Sequence, residues 1–298
     1  MLKSSAIYHI IALTSIAIWG TTFISTKLLL AAGLTPSDIF FYRFLLAYIV
    51  LLTFVHNRLF ARSWKDELIL AGCGICGGSL YFITENSALQ ITLASNVSLI
   101  ICTAPLFTSI LSHAFIKGER MGKNLIIGSI IAMTGVAFVV FNGSFVLELN
   151  PLGDLLTIAA ALTWGFYNIL LRKIDNRYST LFITRKVFFY GILTILPVFC
   201  FSPLQTSPTI LFTPTVIGNM LFLGFIASLC CYTLFNMAVK HLGSVTTNNY
   251  LYITPIVTLI TSAIILDEPI TPIAILGTIL ILGGVCFAER YKRKKANK

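Results

Sequence analysis

NSALQITLASNVSLIICTAPLFTSILS, residues 86–112, has a second copy 150 positions later in NMAVKHLGSVTTNNYLYITPIVTLITS, residues 236–262. Asn86, Ala88, Pro105, Thr108, Ile110 and Ser112 recur as Asn236, Ala238, Pro255, Thr258, Ile260 and Ser262. Each copy reads as an apolar helix closing on Asn-x-Ala, a short polar turn, and a second apolar helix with a proline near its middle. Upstream, Trp19-Gly20 with Lys27 is echoed by Trp164-Gly165 with Arg172, and Phe40, Arg43 and Tyr48 by Phe182, Arg185 and Tyr190. Downstream, Ile126, Gly128, Ile130, Gly135, Val136 and Phe138 are echoed by Ile275, Gly277, Ile279, Gly284, Val285 and Phe287. The conserved order and near-constant spacing point to a duplicated unit of about 145–150 residues, giving two halves, 1–145 and 146–298.

Of 298 residues, 57% are apolar and 11% charged, with mean hydropathy +0.89. A soluble domain carries roughly 25% charged residues, so the composition is that of an integral membrane protein. The net charge of +10 does not imply a nucleic-acid partner, because the basic residues lie in short loops and in a tail, Arg290 to Lys298. It is a topology signal, with an attraction to anionic lipid second. The seven cysteines all fall in apolar segments, so disulfides are not expected. Cys73 and Cys76 form a C-x-x-C among the small residues of 71–78, which reads as close helix packing rather than metal or redox chemistry. No cofactor is implied. The first apolar segment has no A-x-A-like cleavage site and reads as a retained span.

About 20 mainly apolar residues cross the hydrocarbon. That rule gives ten spans, Tyr8 to Leu28, Pro36 to Val55, Leu68 to Ile91, Leu93 to Ile116 and Asn124 to Phe141, then Leu152 to Ile174, Thr180 to Phe201, Thr215 to Val239, Val245 to Leu266 and Thr271 to Ala288. With a cytoplasmic amino terminus, the inner segments hold Lys3; Arg58, Arg62 and Lys65; Lys117, Arg120 and Lys123; Arg172, Lys173 and Arg177; Lys240; and the tail. The outer loops hold no Lys or Arg, as the positive-inside rule requires. Lys27, Arg43, Arg185 and Lys186 fall within spans. Five spans per half is odd, so the halves are expected to be inverted in the membrane. The expected fold is all-α, with ten transmembrane helices as two inverted five-helix repeats and both termini cytoplasmic.

The chain resembles a ten-helix member of the drug/metabolite transporter superfamily, in its EamA-like branch. The matching residues are Trp19-Gly20, Tyr42-Arg43-Phe44, Ala88-Leu89 with Ala94-Ser95 ahead of Pro105, Gly118-Glu119, and Gly128 with Gly135. Their counterparts in the second half match too, including Asp267-Glu268-Pro269 and Leu276-Gly277. The resemblance covers essentially the whole chain and implies a bacterial inner-membrane transporter with a central cavity lined by spans one, three, four, six, eight and nine. On those spans lie Trp19, Thr22, Tyr81, Glu85, Asn86, Asn96 and Thr103, and then Trp164, Tyr167, Asn168, Tyr232, Asn236, Asn248, Asn249 and Tyr250. Amides and aromatic rings suit a neutral, zwitterionic or aromatic metabolite; the alternative for each is packing between helices.

Glu85 lies about 9 Å into span three from its outer end, counting 1.5 Å per residue. A carboxylate at that depth faces a cavity or a partner: it is a proton or substrate-amine site, or a structural pair with Arg43. Arg43 and Arg185 are repeat equivalents expected near opposite mouths, as charged gating or anion-binding groups or as snorkelling cations. Pro105 and Pro255 each remove a mid-helix hydrogen bond and are expected to bend their helices. The glycine pairs Gly128/Gly135 and Gly277/Gly284 are expected to bring spans five and ten close to their neighbours.

An intramembrane enzyme would need a nucleophile with a base or a metal cluster, and the sequence has neither HExxH nor GxSxG. Duplicated halves suit alternating access better than a channel, and there is no sizeable soluble domain through which a receptor would signal. The reading is a secondary transporter of a small organic metabolite such as an amino acid. Outward direction is implied by the resemblance alone. The alternative is a sugar-phosphate or nucleotide-sugar transporter. Partners are the small-molecule substrate, the bilayer and, under proton coupling, protons, with the chain a monomer or weak homodimer; uniport and proton coupling both stay open.

Overall fold

The computed structural model describes residues 2–55, 59–92, 94–116, 122–141, 150–174, 176–204, 206–265 and 271–296. Among these every regular element is helical. In the first half α1 (Leu2–Ala31), α2 (Pro36–Phe54) and α3 (Trp64–Ile91) are followed by α4 (Ala94–Ile101), α5 (Ala104–Phe115) and α6 (Lys123–Phe141). The second half contains α7 (Pro151–Ile174), α8 (Thr180–Phe201) and α9 (Pro214–Leu242), with a short turn of helix at Pro208–Leu211 before α9. Then come α10 (Ser244–Asn249), a single tight turn at Tyr250–Ile253, α11 (Thr254–Ile265) and α12 (Pro272–Ala296).

The helix starts follow from local chemistry. Thr35, Ser63 and Ser179 each accept a hydrogen bond from the backbone N–H three residues on, capping α2, α3 and α8. Pro36 and Pro214 occupy first-turn positions, where a missing N–H costs nothing. Large apolar side chains such as Ile49, Leu155, Leu193 and Ile264 point outward. Such a surface is stable against lipid tails and a liability in water.

Among the described residues six helices are long and apolar enough to cross a membrane, α1 from Ala6, α2, α3, α7, α8 and α9, and two shorter apolar stretches lie at Lys123–Phe138 and Ile275–Phe287. The segments expected as spans four and nine are divided. Instead of bending a continuous helix, Pro105 opens α5 after a turn in which Thr103 N–H bonds to Ile100 O. Likewise Pro255 is the second residue of α11. A proline lacks the N–H that would continue the ladder, and the regular α-helix restarts at Ala104 and at Thr254, one residue ahead of each ring.

Two helices also contain stretches of wider i→i+5 turns, Ile75–Ser79 in α3 and Phe222–Cys231 in α9. They occupy corresponding positions of the duplicated sequence. A wider turn displaces carbonyls from the regular ladder and frees them for other donors.

α6 and α12 pack against each other through the paired glycines. A Cβ on Gly135 would lie 2.5 Å from the carbonyl oxygen of Gly277, and one on Gly284 would lie 2.5 Å from that of Gly128. Exchanging repeat equivalents turns one contact into the other. Gly284→Ala should therefore lower the unfolding midpoint of detergent-solubilised protein, at a cost of about 1–3 kcal/mol for forced overpacking. Gly283→Ala should not, because nothing lies within 4 Å of a Cβ there. Equal behaviour of the two variants in a thermal melt would contradict this packing.

Candidate functional site

A narrow cavity opens between α1, α2, α3, α7, α9 and the two helix breaks, lined among others by Trp19, Thr22, Arg43, Tyr81, Glu85 and Trp164. Tyr232, Phe23 and Phe82 complete the aromatic wall. Ile101 and Ala104 come from the first break, and Leu251 and Thr254 from the second. Four pairs of repeat equivalents therefore meet here, Trp19 with Trp164, Phe82 with Tyr232, Ile101 with Leu251, and Ala104 with Thr254.

The wide-turn stretches hold the rings in place. Trp19 donates its indole N–H to Ala227 O at 2.9 Å, and Tyr232 donates its hydroxyl to Gly77 O. Gly77 and Ala227 are themselves equivalents. No side chain fits at Gly77, where a Cβ would lie 2.4 Å from the Tyr167 ring. The two tryptophan rings meet edge to face at 5.5 Å.

Arg43 and Glu85 are both buried, 3% and 8% exposed, and both face this cavity. They do not form a direct ion pair. Arg43 donates Nε–H to Ser228 Oγ at 2.9 Å and lays its guanidinium 4.4 Å from the centre of the Phe82 ring. Glu85 accepts the Tyr81 hydroxyl at 2.7 Å. Nη groups of Arg43 and the second carboxylate oxygen of Glu85 have no hydrogen-bond partner among the described residues. Beside them the buried hydroxyl of Thr254 is also unpartnered. The cavity thus presents a cation, an anion and a hydroxyl on a frame of aromatic rings.

Of the residues singled out from sequence, Trp19, Thr22, Tyr81, Glu85, Trp164 and Tyr232 line the cavity. Tyr167 and the amides sit in the layer behind it. Trp164 Nε1–H bonds to Asn248 Oδ1 at 2.8 Å, and Asn248 Nδ2–H bonds to Asn168 Oδ1 at 2.8 Å. Tyr167 donates its hydroxyl to Asn236 Oδ1 at 2.5 Å, and Asn236 bonds in turn to Thr184 Oγ1. Asn86 donates to Pro36 O at 3.2 Å, fixing α3 to the start of α2. Asn249 is buried in α10 and Tyr250 meets His9 Nδ1 at 2.7 Å, both away from the cavity lining. Thr103 bonds back to Ile100 O within its own turn. The side chain of Asn96 lies outside the described residues.

Arg185 and Lys186 are 2% and 3% exposed, so neither snorkels. Arg185 donates to the carbonyls of Val55 and Leu59, tying α8 to the chain after α2. Lys186 forms a buried ion pair with Glu67, which also accepts Tyr190 Oη–H at 2.5 Å and Ala61 N–H at 2.7 Å. Next to it Asp66 pairs with Arg177 and accepts the Tyr178 hydroxyl at 2.8 Å. The two acids opening α3 thus clamp the first half to the start of the second. The sequence analysis did not single them out; the available signal was two adjacent acids in a segment otherwise basic.

The model of the EamA-like transporter family matches residues 6–141 and 151–289. A probable amino-acid metabolite efflux pump of Escherichia coli is 25% identical over 93% of this chain and 92% of its own length. A probable terminal-alkyne amino-acid exporter of Streptantibioticus cattleyicolor is 28% identical over 76% of this chain and 74% of its own. A solved crystal structure superposes with a TM-score of 0.76 at 17% identity, covering 96% of this chain and 98% of the other, a likeness of fold.

The clamp yields a test by a double-mutant cycle. Lys186→Met should cost about 3–5 kcal/mol by stranding a buried carboxylate. Lys186→Met combined with Glu67→Gln should cost less than the sum of the single changes, read from unfolding midpoints in detergent. Strict additivity would show that the two side chains do not act as a pair.

Proposed function

The chain belongs to the EamA-like transporter family, and from that premise we propose that it is a secondary transporter exporting a small zwitterionic metabolite, an amino acid or a close relative, by alternating access. One observation carries the reading: a buried cation and a buried carboxylate face one aromatic cavity without neutralising each other directly. Buried charges without partners are costly. A ligand bearing both a carboxylate and an ammonium group offsets that cost at both ends, with its carboxylate at Arg43 and its ammonium at Glu85. The rings of Trp19, Tyr81 and Trp164 then enclose an apolar side chain. Efflux of amino-acid metabolites and export of an amino acid, as two relatives are named for, support both the cargo class and the direction.

In this reading the halves 1–145 and 146–298 are inverted five-span repeats, and residues 94–116 and 244–265 cross as broken spans. Support comes from the repeat-equivalent pairs on the cavity wall and from the reciprocal glycine contacts of α6 and α12. Broken helices are tolerated at membrane depth where protein buries them or where they line a cavity. The protein sits in a bacterial inner membrane with both termini in the cytoplasm.

Charge recognition is tested in proteoliposomes loaded with labelled amino acids and their analogues. Arg43→Gln should weaken a zwitterionic amino acid about tenfold or more, equivalent to about 1.4 kcal/mol, while leaving its carboxamide little changed. Glu85→Gln should weaken the zwitterion similarly and spare the N-acetylated analogue. Transport of the zwitterion at parental rate by both variants would overturn the assignment, as would movement of phosphorylated sugars or nucleotide sugars alone. Orientation is tested independently. In a cysteine-free variant, single cysteines at Ser144 and Ser207 should react with an impermeant maleimide from outside, and those at Ser63 and Asn297 should not; a reversed pattern would refute the topology.

A further inference from the structure

A second cleft lies away from the central cavity, between the end of α2, the start of α8 and the end of α9. It gathers Arg62, Arg177 and Lys240 from three separate stretches of chain, against the rings of Phe54, Tyr178 and Phe182. None of its described lining residues is acidic. Arg177 is already neutralised by Asp66. The other two cations are not. Arg62 places its guanidinium 6.0 Å from the Tyr178 ring centre and makes no side-chain hydrogen bond among the described residues. Lys240 gives one N–H to Tyr178 O at 3.3 Å, leaving two donors free.

We infer that this cleft binds the phosphate of an anionic phospholipid headgroup. A phosphodiester has one negative charge and two non-bridging oxygens. One guanidinium fork and one ammonium reach both oxygens, and their two positive charges against the one negative charge favour an anionic headgroup over one that adds a cation of its own. The apolar rim decides between a lipid and a free phosphate ester. Phe54, which lines the cleft, is 73% exposed, and Leu59 and Phe60, a few residues on in the chain, are 55% and 72% exposed. A soluble ester would leave these side chains facing water, whereas acyl chains descending from the headgroup cover them. The basic residues belong to segments that the positive-inside rule assigns to the cytoplasmic leaflet, where anionic lipid and cationic side chains attract. The site depends on the chain being embedded in a bilayer, and it does not depend on what the central cavity carries.

Native mass spectrometry of the full-length protein, released from mixed phosphatidylglycerol and phosphatidylcholine, reads the retained lipid directly. Phosphatidylglycerol should be retained about tenfold over phosphatidylcholine, two cations each contributing near the surface. Arg62→Gln with Lys240→Gln should remove that preference, Lys240→Gln alone should reduce it about threefold, and Arg62→Lys with Lys240→Arg should keep most of it. Lys173→Gln, which changes an exposed cation facing Phe115 outside the cleft, should leave it intact. Equal retention of the two lipids by the parent protein would overturn the proposal without any variant. So would unchanged retention in a monodisperse double-Gln protein. Millimolar glycerol phosphate should not displace the lipid; if it does so fully, the ligand is a free phosphate ester and the lipid assignment fails.

Discussion

Hydrocarbon offers no partner to an unpaired backbone N–H or C=O, and this constraint arranges the molecule. Two helices are interrupted ahead of Pro105 and Pro255, and each interruption leaves backbone groups that lipid cannot satisfy. The breaks therefore belong in the interior. Placing them there brings Ile101, Ala104, Leu251 and Thr254 to one spot and leaves open space where straight helices would have closed. The wide turns of α3 and α9 add to the effect by offering Gly77 O and Ala227 O to a tyrosine and a tryptophan. The cavity is in this sense the place where irregular backbone is collected and satisfied.

Around it, the polar side chains divide between two tasks. Asn168, Asn236 and Asn248 are spent on one another, on Tyr167, on Trp164 and on Thr184, where each bond fixes a ring or joins two helices. Satisfied networks of this kind rigidify an interior, and a half-satisfied one would destabilise it. Arg43, Glu85 and Thr254 hold capacity in reserve. That division separates the frame from the groups available to a ligand better than polarity alone does.

Much of this was legible in the chain. Apolar runs, serine and threonine caps and proline positions located the helices, and the duplication located the interior. The two prolines were read as bends because a single missing N–H is compatible with a continuous kinked helix; the structure instead places a tighter turn ahead of each ring. Tyr81, Glu85, Trp19 and Trp164, which line the cavity, were singled out because bulky or charged groups deep in a span carry a chemical signal. Phe23, Ile101, Ala104 and Leu251 were missed because apolar residues carry none. The asparagines were assigned to the cavity because sequence gives their depth but not their rotation relative to other helices. Arg185 and Lys186 looked able to reach headgroups until the acceptors at Val55, Leu59 and Glu67 came into view.

The duplicated frame does not carry duplicated charge. The counterpart of Glu85 is Phe235, and the counterpart of Arg43 is spent on carbonyls elsewhere. With Glu85 ionised, the cavity charges sum to zero, and the zwitterion proposed as cargo adds nothing, so in the proposed cycle neither the loaded nor the empty carrier moves net charge between the faces. The membrane potential then does no work on the cycle. A proton carried on Glu85 would change this by one elementary charge, worth about 2.3 kcal/mol per 100 mV. Voltage sensitivity of the flux therefore reports whether that carboxylate travels protonated, and so separates passive exchange from a proton-driven cycle electrically.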